Sequence, residues 1–134
     1  MNLVIYLRKN YLAAGYRPSN KYGEYNCDAH QDIQEMSYES NSFDAVICID
    51  VLEHVKDPNL AISEIHRVLR GNGELFLTVP FMNGFHVKSG VSGSNEEYGD
   101  YWRFTHQGLK ILLSKFTSMK IESMDRPIEA RIHS

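Results

Sequence analysis

The 134-residue chain has two cysteines, no excess of basic charge and no long apolar run. Cys27 and Cys48 lack the spacing of a metal site, so they read as buried, reduced thiols of a cytoplasmic protein. A net charge of −3 offers no basic field to nucleic acid. No apolar stretch approaches the roughly 20 residues of a membrane span. The apolar patch at residues 1–7 is too short for the core and flanks of a signal peptide. Six histidines are scattered. None forms a His-x-x-x-His pair with an acid at ligand spacing, so no metal centre is expected. Repeats, low-complexity tracts and linkers are missing as well. What remains is ordinary globular composition, 43% hydrophobic and 23% charged. Residues 1–134 read as one domain that buries about two-thirds of its unfolded surface.

The informative stretch is SFDAVICIDVLEHVKDPNLAISEIHRVLRGNGELFLTVPF, residues 42–81. Residues 45–49 are a short, β-branched apolar run, which predicts a strand buried on both faces. Asp50 ends it. Asp57 is a candidate N-cap, with Pro58 at the first helical position. Leu60, Ala61, Ile65, Val68 and Leu69 recur at helical spacing, predicting a helix over 59–69. Gly71 and Gly73 are expected to supply the left-handed stop. Residues 74–80 predict a second strand. Strand, helix and strand with short connections predict a right-handed crossover between adjacent parallel strands. Glu64 and Arg67 read as an i,i+3 surface pair worth a few tenths of a kcal/mol.

These forty residues resemble the middle of a class I S-adenosylmethionine-dependent methyltransferase. The family's marks are an FD-apolar strand, an LEH turn, a DP helix start, an E-x-x-RVL helix and a glycine-rich turn. Here that turn is Arg70-Gly71-Asn72-Gly73, without the family's preferred proline. The resemblance implies an α/β, Rossmann-like methyltransferase fold with a mostly parallel sheet and S-adenosylmethionine as cofactor. It also implies that Asp28 accepts from the adenine amino group while the Ala29 N–H donates to the ring. The competing reading is that Asp28 is a strand-end or N-cap residue. Asp50, Val51, Glu53 and His54 lie where the strand meets its turn. In an open parallel sheet the ligand crevice lies at that end of the strands, so Asp50 and Val51 are candidate cofactor contacts. His54 is a candidate catalytic base; a scaffold histidine is the alternative.

Two features depart from the family. No G-x-G lies between a strand and a helix, so the loop that brings backbone N–H groups to the methionine end of the cofactor is missing. Gly15 stands where the family has an acid that holds the ribose hydroxyls, a contact typically worth about 1.5–3 kcal/mol. The chain therefore reads as trimmed at its front, with weak or absent cofactor binding.

Residues 81–99 form a long loop rich in Gly, Ser and Asn, and such loops are usually functional. The sequence Asp100-Tyr101-Trp102-Arg103-Phe104-Thr105 follows, then an amphipathic helix over 107–115 with Thr105 as its N-cap. Phe81, His86, Asp100, Arg103 and Thr105 resemble a methyltransferase subgroup often found near surface-sugar genes. That resemblance places His86 and Arg103 at the methyl acceptor. A structural Asp100–Arg103 ion pair is the other reading. Tyr98, Tyr101, Trp102 and Phe104 are candidates to shield a sulfonium or stack on a sugar. Residues 119–124 and 128–132 are expected to close the sheet as an antiparallel hairpin.

The resemblance and its departures imply two functions. One is a methyltransferase acting on a small molecule or saccharide. The other is a methyltransferase-like module that has lost catalysis and serves assembly or partner binding. Residues 2–7 are apolar on both faces of a strand. They are expected to take the place of the missing central strand and to find cover in a homodimer whose interface includes residues 2–11.

Overall fold

The computed structural model describes residues 3–8, 11–15, 29–85, 99–123 and 128–133, with side chains for 31–85 and 99–123. Its strands are β1 (Leu3–Arg8), β2 (Tyr11–Gly15), β3 (Ala29–Gln31), β4 (Phe43–Ile49), β5 (Leu69–Val79), β6 (Ser118–Ser123) and β7 (Ile128–His133). Helix α1 spans Pro58–Val68, helix α2 His106–Leu112, and a single 3-10 turn Leu52–His54. The strands form one sheet in the order β3-β1-β2-β4-β5-β7-β6.

The expected crossover is present. β4 and β5 pair in parallel, from Ala45 opposite Glu74 to Ile49 opposite Thr78. β2 pairs in parallel with the other side of β4. The parallel part is thus the centre of an α/β, Rossmann-like sheet. The outer pairings β1–β2, β1–β3, β5–β7 and β6–β7 are antiparallel because β1 and β7 are reversed; the other five strands run the same way, so the mixed sheet is mostly parallel as expected. Tight links between neighbours in sequence, such as the one from Arg8 to Tyr11, permit hairpins and not crossovers. For the same reason the place beside β4 belongs to Tyr11–Gly15, and Leu3–Arg8 lies one strand further out than expected.

Helix α1 starts as the sequence predicts. The Asp57 carboxylate accepts from the Asn59 and Leu60 N–H groups, and Pro58 follows it. Ala61, Ile62, Ile65 and Val68 are buried in one cluster with Val46 and Cys48 of β4, Leu75, Leu77 and Val79 of β5, and Leu109 of α2. On β4 and β5 this face is buried at each of those positions. Ala45, Ile47 and Phe76 on the other face are half-buried and Ile49 is 44% exposed, which corrects the expectation of burial on both faces. The helix ends by Leu69 turning extended. The left-handed residue of the following turn is Asn72 (φ 67°), not Gly71 or Gly73. Gly73 is needed for space, since a Cβ there would stand 2.9 Å from the Arg70 carbonyl oxygen.

Glu64 and Arg67 do more than pair along the helix. Arg67 donates to both Glu64 oxygens (2.7 and 2.8 Å), to the Tyr38 carbonyl (2.7 Å) and to the Met36 carbonyl (3.0 Å). Glu64 in turn accepts from the Met36 N–H at 2.8 Å. The guanidinium holds the Glu64 carboxyl below the usual carboxylate range. The bracket fixes the segment that carries Ile33 and Met36 into the core. Removing it with Arg67→Ala should cost about 2 kcal/mol, because several charge-assisted bonds are lost together. Arg70→Ala, at a half-exposed pair with Asp44, should cost under about 1 kcal/mol. Urea denaturation of the two variants checks the contrast, and equal losses would contradict it.

Candidate active site

The register aligns the carboxyl edge of the sheet. Gly15 of β2 stands opposite Ile49 of β4, and Ile49 opposite Thr78 of β5. Asp50 follows with φ 50°, a left-handed conformation that Asp tolerates better than most residues. Thr78 holds it there. The Asp50 N–H donates to the Thr78 carbonyl (3.2 Å) and hydroxyl oxygen (3.1 Å), and the Thr78 hydroxyl donates to Asp50 Oδ1 (2.9 Å). The Asp50 side chain is exposed, whereas Val51, Leu52, Glu53, His54 and Val55 are all buried.

A strap over residues 99–104 closes on this turn. The Glu53 carbonyl accepts from the Tyr101 and Trp102 N–H groups at 2.7 and 3.3 Å. His54 Nδ1 lies 2.7 Å from the Gly99 carbonyl oxygen. A carbonyl only accepts, so Nδ1 carries the proton. The Trp102 indole N–H donates to the Val55 carbonyl at 2.9 Å, and the Phe104 N–H to the Pro80 carbonyl at 3.0 Å. A side chain at Gly99 would run into the Tyr101 ring.

Arg103 anchors the strap. Its guanidinium grips the fully buried Asp100 carboxylate with both ends. It also donates to the carbonyls of Asn83 (2.8 Å), Gly84 (2.9 Å) and Trp102 (2.7 Å). Those bonds occupy all five of its N–H donors. The geometry is that of an ion pair closing the loop.

Beneath the strap sits Glu53, 1% exposed, with Oε2 unpartnered among the described residues and Oε1 3.7 Å from His54 Nε2. Burial, aided by the negative charges of Asp50 and Asp100, pushes its carboxyl up to about 7, against partial relief from its backbone hydrogen bond and Arg103. Burial likewise raises the Cys48 thiol, leaving it an inert core residue.

The structure therefore brings Asp50, Val51, His54 and Arg103 to one edge. Ala29 opens β3, three strand spacings or about 14 Å from β4, in the same row as Ile5, Ala14 and Cys48. Asp28, His86 and Tyr98 lie outside the described residues. Glu53 and Thr78 were not among the expected site residues. The sequence signal for Thr78 is a hydroxyl residue at the end of an apolar strand whose parallel neighbour ends in an acid. Asn59, Arg103, Phe104, Thr105, Gly108, Ile111 and Leu112, from the strap, the start of α1, and α2 with its N-cap, line a shallow depression of about 280 Å³. Among the described residues, no group of three His, Cys, Asp or Glu is arranged to hold a metal ion, and no helix is long and apolar enough to cross a membrane.

A parallel core with its polar residues gathered at the carboxyl edge, where the strand order reverses between β2 and β4, is the layout of a doubly wound ligand-binding domain. A family model described as a methyltransferase domain matches residues 10–77, half of the chain. The chain belongs to that family, and its fold is that of the class I S-adenosylmethionine-dependent methyltransferases. It is 43% identical over 49 residues to the ubiquinone biosynthesis O-methyltransferase of Xanthomonas oryzae, a match over 36% of this chain and 20% of that protein. The chain thus spans about a fifth of the length of the curated relatives it matches. A solved S-adenosylmethionine-dependent methyltransferase of Thermotoga maritima superposes with a TM-score of 0.58 at 17% identity, over 75% of this chain and 60% of that one. Phosphoethanolamine N-methyltransferase 2 of Haemonchus contortus, solved with S-adenosyl-L-methionine, gives 0.54 at 24% identity over 69% and 22%.

Glu53 makes stability depend on pH with a definite sign. Its folded-state pKa stands above the ordinary value of 4.5, so between about pH 4.5 and 7 the folded chain keeps a proton that the unfolded chain releases. Stability should therefore fall as pH rises through that window and level off above it, by on the order of 3 kcal/mol for this group. Glu53→Gln should lack this component. Urea denaturation of both proteins from pH 4.5 to 8 checks it, and a constant difference between them across the range would contradict it.

Proposed function

We propose that the chain works as an S-adenosylmethionine-dependent methyltransferase domain on a small-molecule or saccharide acceptor. The observation that carries this reading is the exposed Asp50 carboxylate at the β2–β4 switch point, in a family whose cofactor is a cation. The donor set fits: an acid held in place, a buried apolar floor at Val51 and Leu52, and a strap beside them. When bound, the cofactor supplies a methyl group activated for in-line attack. The chain's own residues bind, orient and exclude water. Asp50 and Val51 take the central part of the cofactor, and Asp28 and Ala29 its adenine. His54 and Arg103 position the strap through Gly99 and Asp100, and His86 is the base for an oxygen acceptor. Tyr101 and Trp102, each about two-fifths exposed, offer faces for an acceptor ring. The protein acts in the cytoplasm, where Cys48 stays reduced.

A second reading, a module without catalysis, is favoured by one feature: the sequence has no G-x-G between a strand and a helix. Calorimetry separates the two. The first predicts saturable S-adenosylmethionine binding with a dissociation constant in the micromolar range or weaker. No heat at millimolar cofactor would overturn it in favour of the second.

The face with half-buried Ala45, Ile47 and Phe76 and exposed Ile49 supports a homodimer with an interface that includes residues 2–11. Light scattering at micromolar concentration should give twice the chain mass. A monomer at high concentration would contradict this.

A further inference from the structure

Asp50 is held more firmly than a residue that merely ends a strand requires. Among the described residues the other two non-glycine positions with positive φ, Asn41 and Asn72, are asparagines, for which that conformation costs least. Asp50 is an acid at the end of the central strand. Its conformation is fixed from β5 by three hydrogen bonds to one residue, Thr78, which is itself 5% exposed. The third bond takes only Oδ1. The carboxylate is otherwise open to the crevice, and among the described residues no cation pairs with it. Arg103, the cation of the neighbouring strap, has its donors committed to Asp100 and backbone carbonyls. The register then fixes the location: Ile49, one residue before Asp50, faces Gly15 on one side and Thr78 on the other. The carboxylate stands over the switch point, where a ligand crosses the sheet.

We infer that Thr78 and Asp50 form one unit, in which the Thr78 hydroxyl aims the Asp50 carboxylate at the sulfonium, so that the crevice distinguishes the cationic methyl donor from its neutral thioether product. The inference rests on the proposed function and adds a positioning residue and a basis for product discrimination. Loss of the sulfonium charge on transfer removes an attraction that the rest of the ligand does not carry. Product is thereby released from the charged part of the site. For a solvent-exposed pair the effect is about three- to tenfold in affinity, and it shrinks with salt.

The test is calorimetry with S-adenosylmethionine and S-adenosylhomocysteine at low ionic strength, on the full chain and on Asp50→Asn, Thr78→Val and Thr78→Ser. Asn suits a positive φ and keeps an oxygen for the Thr78 hydroxyl, so Asp50→Asn removes charge with the least disturbance. It should weaken S-adenosylmethionine about three- to tenfold and leave S-adenosylhomocysteine within about twofold. Thr78→Val should shift the ratio the same way, and Thr78→Ser should restore it. A Thr78→Val protein that fails to melt cooperatively leaves the decision to Asp50→Asn and Thr78→Ser. Equal weakening of both ligands, as contact with the shared ammonium group or a general structural role would give, overturns the inference while the proposed function stands. A wild-type chain that binds neither ligand overturns both.

Discussion

The parallel pairing of β4 with β5 is the constraint on which the remaining structure depends. Two parallel neighbours cannot be joined by a tight turn, so the chain must leave β4 at one edge and return along α1 to the other. That route places Asp50, the Leu52–His54 turn and the end of β5 at one edge. It also lays Ile62, Ile65 and Val68 across Val46, Cys48, Leu75 and Leu77. The Asp50–Thr78 bonds close the crossover at the carboxyl edge. The Arg67–Glu64 bracket ties the preceding segment to the helix on its far side. The apolar core and the polar edge are two consequences of one topology.

At that edge, electrostatics and packing pull in opposite directions. The turn's carbonyls accept from the strap's N–H groups and its imidazole N–H donates back to the strap, which seals Glu53 away from water. A buried carboxyl with an unpartnered oxygen costs stability, and two nearby acids raise the cost of ionising it. Arg103 binds Asp100 directly, and its charge only partly offsets the cost at Glu53. Groups of this kind gather at ligand sites more than elsewhere. Here the strain lies directly beneath the strap and beside the exposed Asp50 carboxylate.

Local signals made β4, α1 and β5 readable. Short apolar runs, the Asp57-Pro58 cap and helical spacing each act within a few residues. The hairpin of β6 and β7 was expected from the family resemblance, with only the strand over 119–124 carrying a local signal. Features set by distant partners were not. Glu53 looks like a surface acid until residues 99–104 pack over it. Arg67 looks like a helix-surface cation until Met36 and Tyr38 present their carbonyls. Thr78 becomes a site residue only because the register sets it beside Asp50. The left-handed turn fell to Asn72 because Gly73 was already required by a close approach to Arg70 and Asp44. The place of β1 outside β2 followed from hairpin closure, which strand periodicity does not encode.

The central claim is that a ligand binds at the carboxyl edge, across the β2–β4 switch point. Amide chemical-shift mapping during titration with S-adenosylhomocysteine tests it most directly. The account predicts the largest shifts at Gly15, Ile49, Asp50, Val51 and Glu53, with smaller ones at Tyr101 and Trp102. Shifts confined to the depression between α1 and α2, to the β6–β7 edge, or nowhere at saturating ligand would contradict it.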